Sequence, residues 1–249
     1  MKSPRLLYHR AIADLHNWRV LSAYPDPKDH PMLASTPGHA KKAVLSRCYY
    51  IPKFGLYYAR IPKNANSTIS RTLTAHAGVK RQDEVGLLAK NIFNRIPTAE
   101  QFRDARKVVF LRDPVARAMS GWKDKGVSRS FHIRYGLCGA EGTPPNFLDF
   151  LHWLEDHRYF TNPHFLPQVD LIPGDVSDYG VHVIEDLETG LREVCQEVFG
   201  HFGGLEERHS GRTGARSLRE NVSDAEMAMI ERLYPRDLAL YAKVTGQTA

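Results

Sequence analysis

The stretch GLYYARIPKNANSTISRTL, Gly55 to Leu73, decides how this chain is read. It opens with a short β-prone run, Gly55 to Ile61, and then passes into helical spacing, with Ile69, Leu73 and Ala77 recurring at four-residue intervals. Between the two, Lys63, Asn64, Asn66, Ser67 and Thr68 crowd side-chain donors into a loop just where a helix is about to begin. A loop that only had to turn would need one Gly or Asn. Helix N-termini hold anions because their first N–H groups lack partners and the helix dipole places about half a positive charge there. Lys63 would add a full one. The glycines of G-x-x-x-x-G-K-[ST] are missing, which argues against an ATPase or GTPase loop.

The pattern recurs at KVVFLRDPVARAMSGWKDKG, Lys107 to Gly126. Val108 to Leu111 form an apolar run, Asp113 can cap the following helix, Pro114 suits its first position, and Gly126 supplies a stop. Arg112 then falls at the strand end and Ser120 two turns into the helix, so that a guanidinium and a hydroxyl can clasp one phosphate. Arg117 reads as an internal partner for Asp113 or another buried acid. Two strand-to-helix units imply an α/β fold, an open parallel sheet flanked by helices in a single domain, with ligands at the carboxyl ends of the strands.

Further along, NFLDFLHWLEDH (Asn146 to His157) has helical periodicity, GVHVIE (Gly180 to Glu185) reads as a buried strand, and LETGLREVCQEVFG as the helix after it. Ser223 and Glu226 form an S-x-x-E capping box for a helix that Pro235 interrupts before it resumes through Tyr241. Residues 1–54, rich in Pro, His and Lys, are expected to form a mostly irregular arm packed on a domain of residues 55–249.

Composition narrows the class. The 249 residues are 42% apolar, enough for a core, and 34 Lys+Arg against 28 Asp+Glu give a net charge of +6, which favours an anionic ligand. Cys48, Cys138 and Cys195 are odd in number and widely spaced, so neither a disulfide framework nor a CxxC metal site is written here. The histidines show no H-x-x-x-H or H-E-x-x-H grouping, and no metal is expected. In MKSPRLLYHRAIADLHNWRVL the apolar residues are broken by Arg, His, Asp and Asn, leaving no signal-peptide core and no membrane span of ~20 residues. At most a peripheral membrane contact is expected.

RIPKNANSTISRTL followed by VVFLRDPVARAMSGWKDK resembles the paired signatures of sulfotransferases that use 3′-phosphoadenosine 5′-phosphosulfate, the family of Golgi carbohydrate sulfotransferases and their bacterial relatives. The first segment is similar to the family's P-K-x-A-x-[ST] loop for the 5′-phosphosulfate. The second is similar to its R-D-P-x-x-R-x-x-S-x-[YW]-x-x-K element for the 3′-phosphate. NPHFLPQ with the strand and helix that follow, and the closing ERLYPRDLALYAKV, extend the resemblance over roughly residues 55 to 244. Trp122 stands where Tyr or Phe is usual, and the H-G-H element of the uronyl 2-O-sulfotransferases is missing.

The resemblance implies a P-loop-NTPase-like sheet and an enzyme that moves a sulfuryl group from this donor to a hydroxyl, expected on a carbohydrate or glycolipid. Lys63 then stabilises the leaving phosphate, Asn64, Asn66, Ser67 and Thr68 bind the 5′ end, and Arg112 and Ser120 take the 3′-phosphate. A hydroxyl acceptor also needs a base. His164, in the Pro-bracketed NPHFLPQ loop, is the first choice, with His76, Glu185 and Asp186 in reserve. The stretch ERHSGRTGARSLR places Arg208, Arg212, Arg216 and Arg219 as if to cover a bound nucleotide, and Arg212 and Arg216 are assigned to it. Without an anchor the enzyme is expected in a bacterial cytoplasm, the alternative being an excised luminal domain of a Golgi protein. A P-loop kinase would share the architecture but not this loop. A nucleic-acid-binding module is disfavoured, because the cations sit at strand-to-helix junctions and not along one helix or sheet face.

Overall fold

The structure, a computed structural model, describes residues 4–79, 92–128, 143–157, 162–206 and 221–246. The chain gathers into two compact units, one of Met1–Phe110 with Asp170–His209 and the other of Leu111–Val169 with Ser210–Ala249.

The first unit carries a four-stranded sheet in the order β1-β2-β3-β4, with β1 Tyr50–Ile51, β2 Leu56–Ala59, β3 Arg106–Leu111 and β4 Tyr179–Val183. β2 and β3 run parallel, with Leu56 opposite Arg106 and Ala59 opposite Val109. Such a pair needs a long crossover, and the chain supplies it through helix α4, described below. At the edge of this open sheet, β1 pairs antiparallel with β2. The connection between them is only Pro52 to Gly55, short enough for a hairpin alone, and Gly55 takes the left-handed φ of 59° that closes it.

β4 was expected to be buried as far as Glu185. It is instead the last strand in the sheet, only its first residue, Tyr179, is fully buried, and Ile184–Asp186 already turn toward the next helix. An edge position explains the half-exposed faces.

Residues 4–54 are not an irregular arm: they fold into helices α1 (Pro4–Ser22), α2 (Pro31–Ala34) and α3 (Gly38–Leu45) before β1. Their prolines do not break these helices because Pro31 opens α2 at a position that needs no N–H donor, and Pro37 caps α3. Side chains tie this segment to the rest of its unit. Buried His30 accepts from Met32 N–H through Nδ1, which leaves Nε2–H to donate to the Pro97 carbonyl at 2.8 Å, and Asn17 exchanges two bonds with the backbone of Asn94 and Ile96.

α4 (Asn66–His76), α5 (Ala99–Asp104) and the helix after β4, Leu187–Phe199, complete the unit. Ile69, Leu73, Tyr58, Phe110, Leu191 and Val194 close a core in which each buried side chain contributes roughly 1.5–3 kcal/mol.

The second unit holds α6 (Pro114–Gly121), which runs on as a π-helical turn through Trp122–Gly126, then α7 (Phe147–Asp156) and two C-terminal helices, Asp224–Leu233 and Pro235–Thr245. The capping box of Ser223 and Glu226 is present, and the break falls at Tyr234, where Pro235 begins the last helix. Val115, Phe150, Leu154, Phe165, Ile230 and Leu233 form this unit's core.

Candidate active site

The first loop leaves β2 at Arg60 and enters α4 at Asn66. Lys63 has φ 73° and Ala65 φ 51°, and among the described residues they are the only non-glycine positions in the left-handed region. That conformation costs an L-residue about 1–2 kcal/mol, and such cost is found where surrounding structure imposes it. The imposing contact is Asn64. Its side chain is fully buried, and its amide donates to the Phe110 carbonyl at the end of β3, 2.9 Å away. Asn64, expected at the anion, thereby also ties the loop to the end of β3.

Ala65 is the N-cap of α4 and brings no side-chain acceptor to the helix start. Asn66, Ser67 and Thr68 lie half-buried on the first turn, beside half-buried Lys63. An uncapped helix start next to an ammonium is suited to an anion. Asn66 directs its Oδ1 to Arg60, accepting from Nε at 3.1 Å.

The second element is built differently. Gln168 clasps the backbone of Arg112 from both sides, its Oε1 accepting from Arg112 N–H at 3.1 Å and its Nε2 donating to Arg112 C=O at 2.9 Å. Asp113 caps α6 by accepting from Ala116 N–H at 2.9 Å, as expected, and Ser120 lies half-buried two turns on. Arg117 is 2% exposed and donates to the carbonyls of Leu166 (2.8 Å) and Pro163 (3.3 Å). Burial lowers its pKa while the charge of Asp237 opposes the shift, so Asp237 is the buried acid expected for it.

Those two carbonyls bracket His164. Asn162 Oδ1 accepts from the backbone N–H of His164 at 3.0 Å and lies 2.9 Å from its Nδ1. Because the backbone N–H requires an oxygen there, Nδ1 must be the protonated nitrogen, and the lone pair resides on Nε2. The rest of the loop is held as firmly. Tyr234 donates to Phe165 C=O, and Asp237 accepts from Gln168 N–H at 2.7 Å and Val169 N–H at 3.0 Å. Asn162, Gln168, Tyr234 and Asp237 were given no role from sequence. Their only signal was the pair of segments NPHFLPQ and YPRD.

The reserve bases fare worse. His76 accepts from Gly203 N–H at Nε2, so its Nδ1–H donates to Thr72 C=O, and its ring stacks on Phe202 at 5.6 Å. Both ring nitrogens are thus engaged within the first unit. Glu185 and Asp186 are exposed on the turn after β4. Arg208, Arg212, Arg216 and Arg219 lie outside the described residues. Among the described residues no three His, Cys, Asp or Glu gather as metal ligands, and no helix is long and apolar enough to cross a membrane.

The first loop therefore brings Lys63, Asn66, Ser67 and Thr68 together, while Arg112, Ser120 and His164 belong to the second unit. Parallel strands β2 and β3 that each run into a helix, the first with Lys63 beside the helix start, define an α/β fold of the kind that binds anions at its strand ends. The chain belongs to the sulfotransferase family, whose sequence model matches residues 46–243. It is accordingly a sulfotransferase, an enzyme of sulfuryl transfer. No curated protein and no solved structure gave a match.

Proposed function

We propose that this enzyme moves the sulfuryl group of 3′-phosphoadenosine 5′-phosphosulfate, the donor typical of its family, to a hydroxyl of a carbohydrate or glycolipid. The observation that carries the reading is the strained, uncapped loop that presents Lys63 at the start of α4. In the reaction the acceptor oxygen bonds to sulfur as the bond from sulfur to the 5′-phosphate oxygen breaks. Negative charge collects on the departing phosphate, where an ammonium and the first-turn N–H groups of α4 stabilise it. The acceptor proton passes to Nε2 of His164, the nitrogen that the Asn162 bond leaves with the lone pair.

Arg112 and Ser120 take the 3′-phosphate, and Arg212 and Arg216 cover the nucleotide. The catalytic domain takes in residues 55–249 together with β1, a reading supported by the family match over residues 46–243. The enzyme works in a reducing compartment, the cytoplasm, a reading supported by the buried, unpaired thiols of Cys48 and Cys195.

Calorimetric titration with adenosine 3′,5′-bisphosphate and with ATP, both without magnesium, tests the donor. Preference for the bisphosphate, lost in Arg112→Ala, is the expected result; equal affinity for both ligands removes the assignment. His164→Ala should lower kcat while nucleotide affinity holds, and a variant with full turnover moves the base elsewhere.

A further inference from the structure

Arg60 sits where β2 runs into the first loop, and its side chain is 8% exposed. Its Nε reaches Asn66, the first residue of α4, at 3.1 Å. Among the described residues no carboxylate neutralises it. The groups that act on it in the favourable sense are the phenols of Tyr58 and Tyr49 and the thiol of Cys48. These carry no charge at neutral pH: burial raises the pKa of both phenols, and that of Cys48 to about 12. The neighbouring cation, Arg47, adds repulsion, and its own Nε is buried without a hydrogen-bond partner.

Buried charges in folded proteins are ordinarily paired, because desolvation is repaid only by a close counter-charge. A guanidinium kept here against desolvation and a like charge is therefore a liability to the free chain. It is also pointed at a helix start whose N-cap, Ala65, supplies no acceptor. An arriving anion would supply the missing counter-charge.

We propose that Arg60 is a positioning residue of the first loop, orienting the first turn of α4 through Asn66 and holding buried positive charge that a phosphate or sulfonate group in the loop neutralises. This rests on reading the loop as an anion cradle and not on which nucleotide carries the anion. A purely structural arginine has the opposite signature, since removing it would destabilise the free chain and leave anion affinity alone.

The test compares wild type, Arg60→Met and Arg60→Lys by thermal unfolding without ligand and by calorimetric titration with inorganic pyrophosphate, AMP and adenosine 3′,5′-bisphosphate. Arg60→Met is expected to keep or raise the Tm of the free chain and to weaken pyrophosphate and bisphosphate by roughly tenfold or more, with Arg60→Lys recovering part of the loss. If Arg60→Met does not fold, Arg60→Gln replaces it, keeping a donor for Asn66 while deleting the charge.

Wild-type affinity for pyrophosphate in whichever of these two variants folds overturns the proposal, as does a wild-type chain that binds no pyrophosphate. Arg60-dependent pyrophosphate binding with no preference for the bisphosphate over AMP supports the proposal and overturns the donor assignment alone.

Discussion

The turn after β2 and the turn after β3 both pass from a strand to a helix within a few residues, yet they are stabilised in opposite ways. The second has ordinary chemistry throughout: Asp113 caps Ala116 N–H, Pro114 occupies the first helical position, and Gln168 satisfies both backbone groups of Arg112. The first has two non-glycine residues in left-handed conformations, an alanine for an N-cap, and a single buried amide, Asn64, as anchor. One element is finished before a ligand binds. The other leaves its helix start uncapped, which suits the site where charge must change during the reaction and not merely be held.

Breaking the comparison at its most sensitive point means removing Lys63. Lys63→Ala is expected to lower kcat by about 10²–10³-fold, the cost of deleting one charge-stabilising group from a transition state, with the Tm little changed because the side chain is only half-buried. Near-wild-type turnover would take Lys63 out of the chemistry. In the second element the same deletion should act on binding. Arg112→Ala is expected to weaken adenosine 3′,5′-bisphosphate by about 10–100-fold, the worth of a charge-assisted hydrogen bond, and to leave AMP affinity unchanged. Equal losses for both nucleotides would mean that Arg112 does not see the 3′-phosphate.

A third substitution asks whether the second element is as conventionally built as its bonds indicate. Asp113→Ala removes the cap and should cost about 1 kcal/mol, or roughly 2–4 °C in Tm for a chain of this size, without abolishing activity. A loss several times larger would show that Asp113 also holds Arg112 in place.

The same contrast explains what could be read in advance. β2, β3, α4, α6 and the helix Asp224–Leu233 are legible because apolar periodicity, Asp113, Pro114 and the Ser223 capping box are local signals whose physics is complete within a few residues. Thr98 and Gln101 form a second capping box, a signal of the same local kind. The left-handed loop was not legible, since neither Lys nor Ala favours that region and the constraint comes from Asn64 reaching a carbonyl 46 residues away. The anchors of the His164 loop are equally non-local. Gln168 bonds a backbone 56 residues distant, and Asp237 meets Gln168 across 69 residues, so their roles exist only once the chain has folded. Proline density hides the helices of the first 54 residues, because Pro4, Pro31 and Pro37 stand at helix starts, where no N–H donor is needed.

The smallest effect tests the strain itself. Ala65 holds φ 51° at the start of α4, a conformation that costs an alanine about 1–2 kcal/mol and a glycine almost nothing. Against that relief stands the greater freedom of glycine in the unfolded chain, about 0.4–1 kcal/mol. Ala65→Gly should therefore stabilise the free protein by a few tenths to about 1 kcal/mol, a rise of at most about 4 °C in Tm. The same change relaxes the loop around Lys63, so the KM for the donor should rise even as the Tm does. A stability gain bought at the expense of donor binding is the signature of a conformation kept for its ligand. A fall in Tm would mean instead that the packing of the Ala65 methyl group against the core outweighs the relief of the left-handed turn.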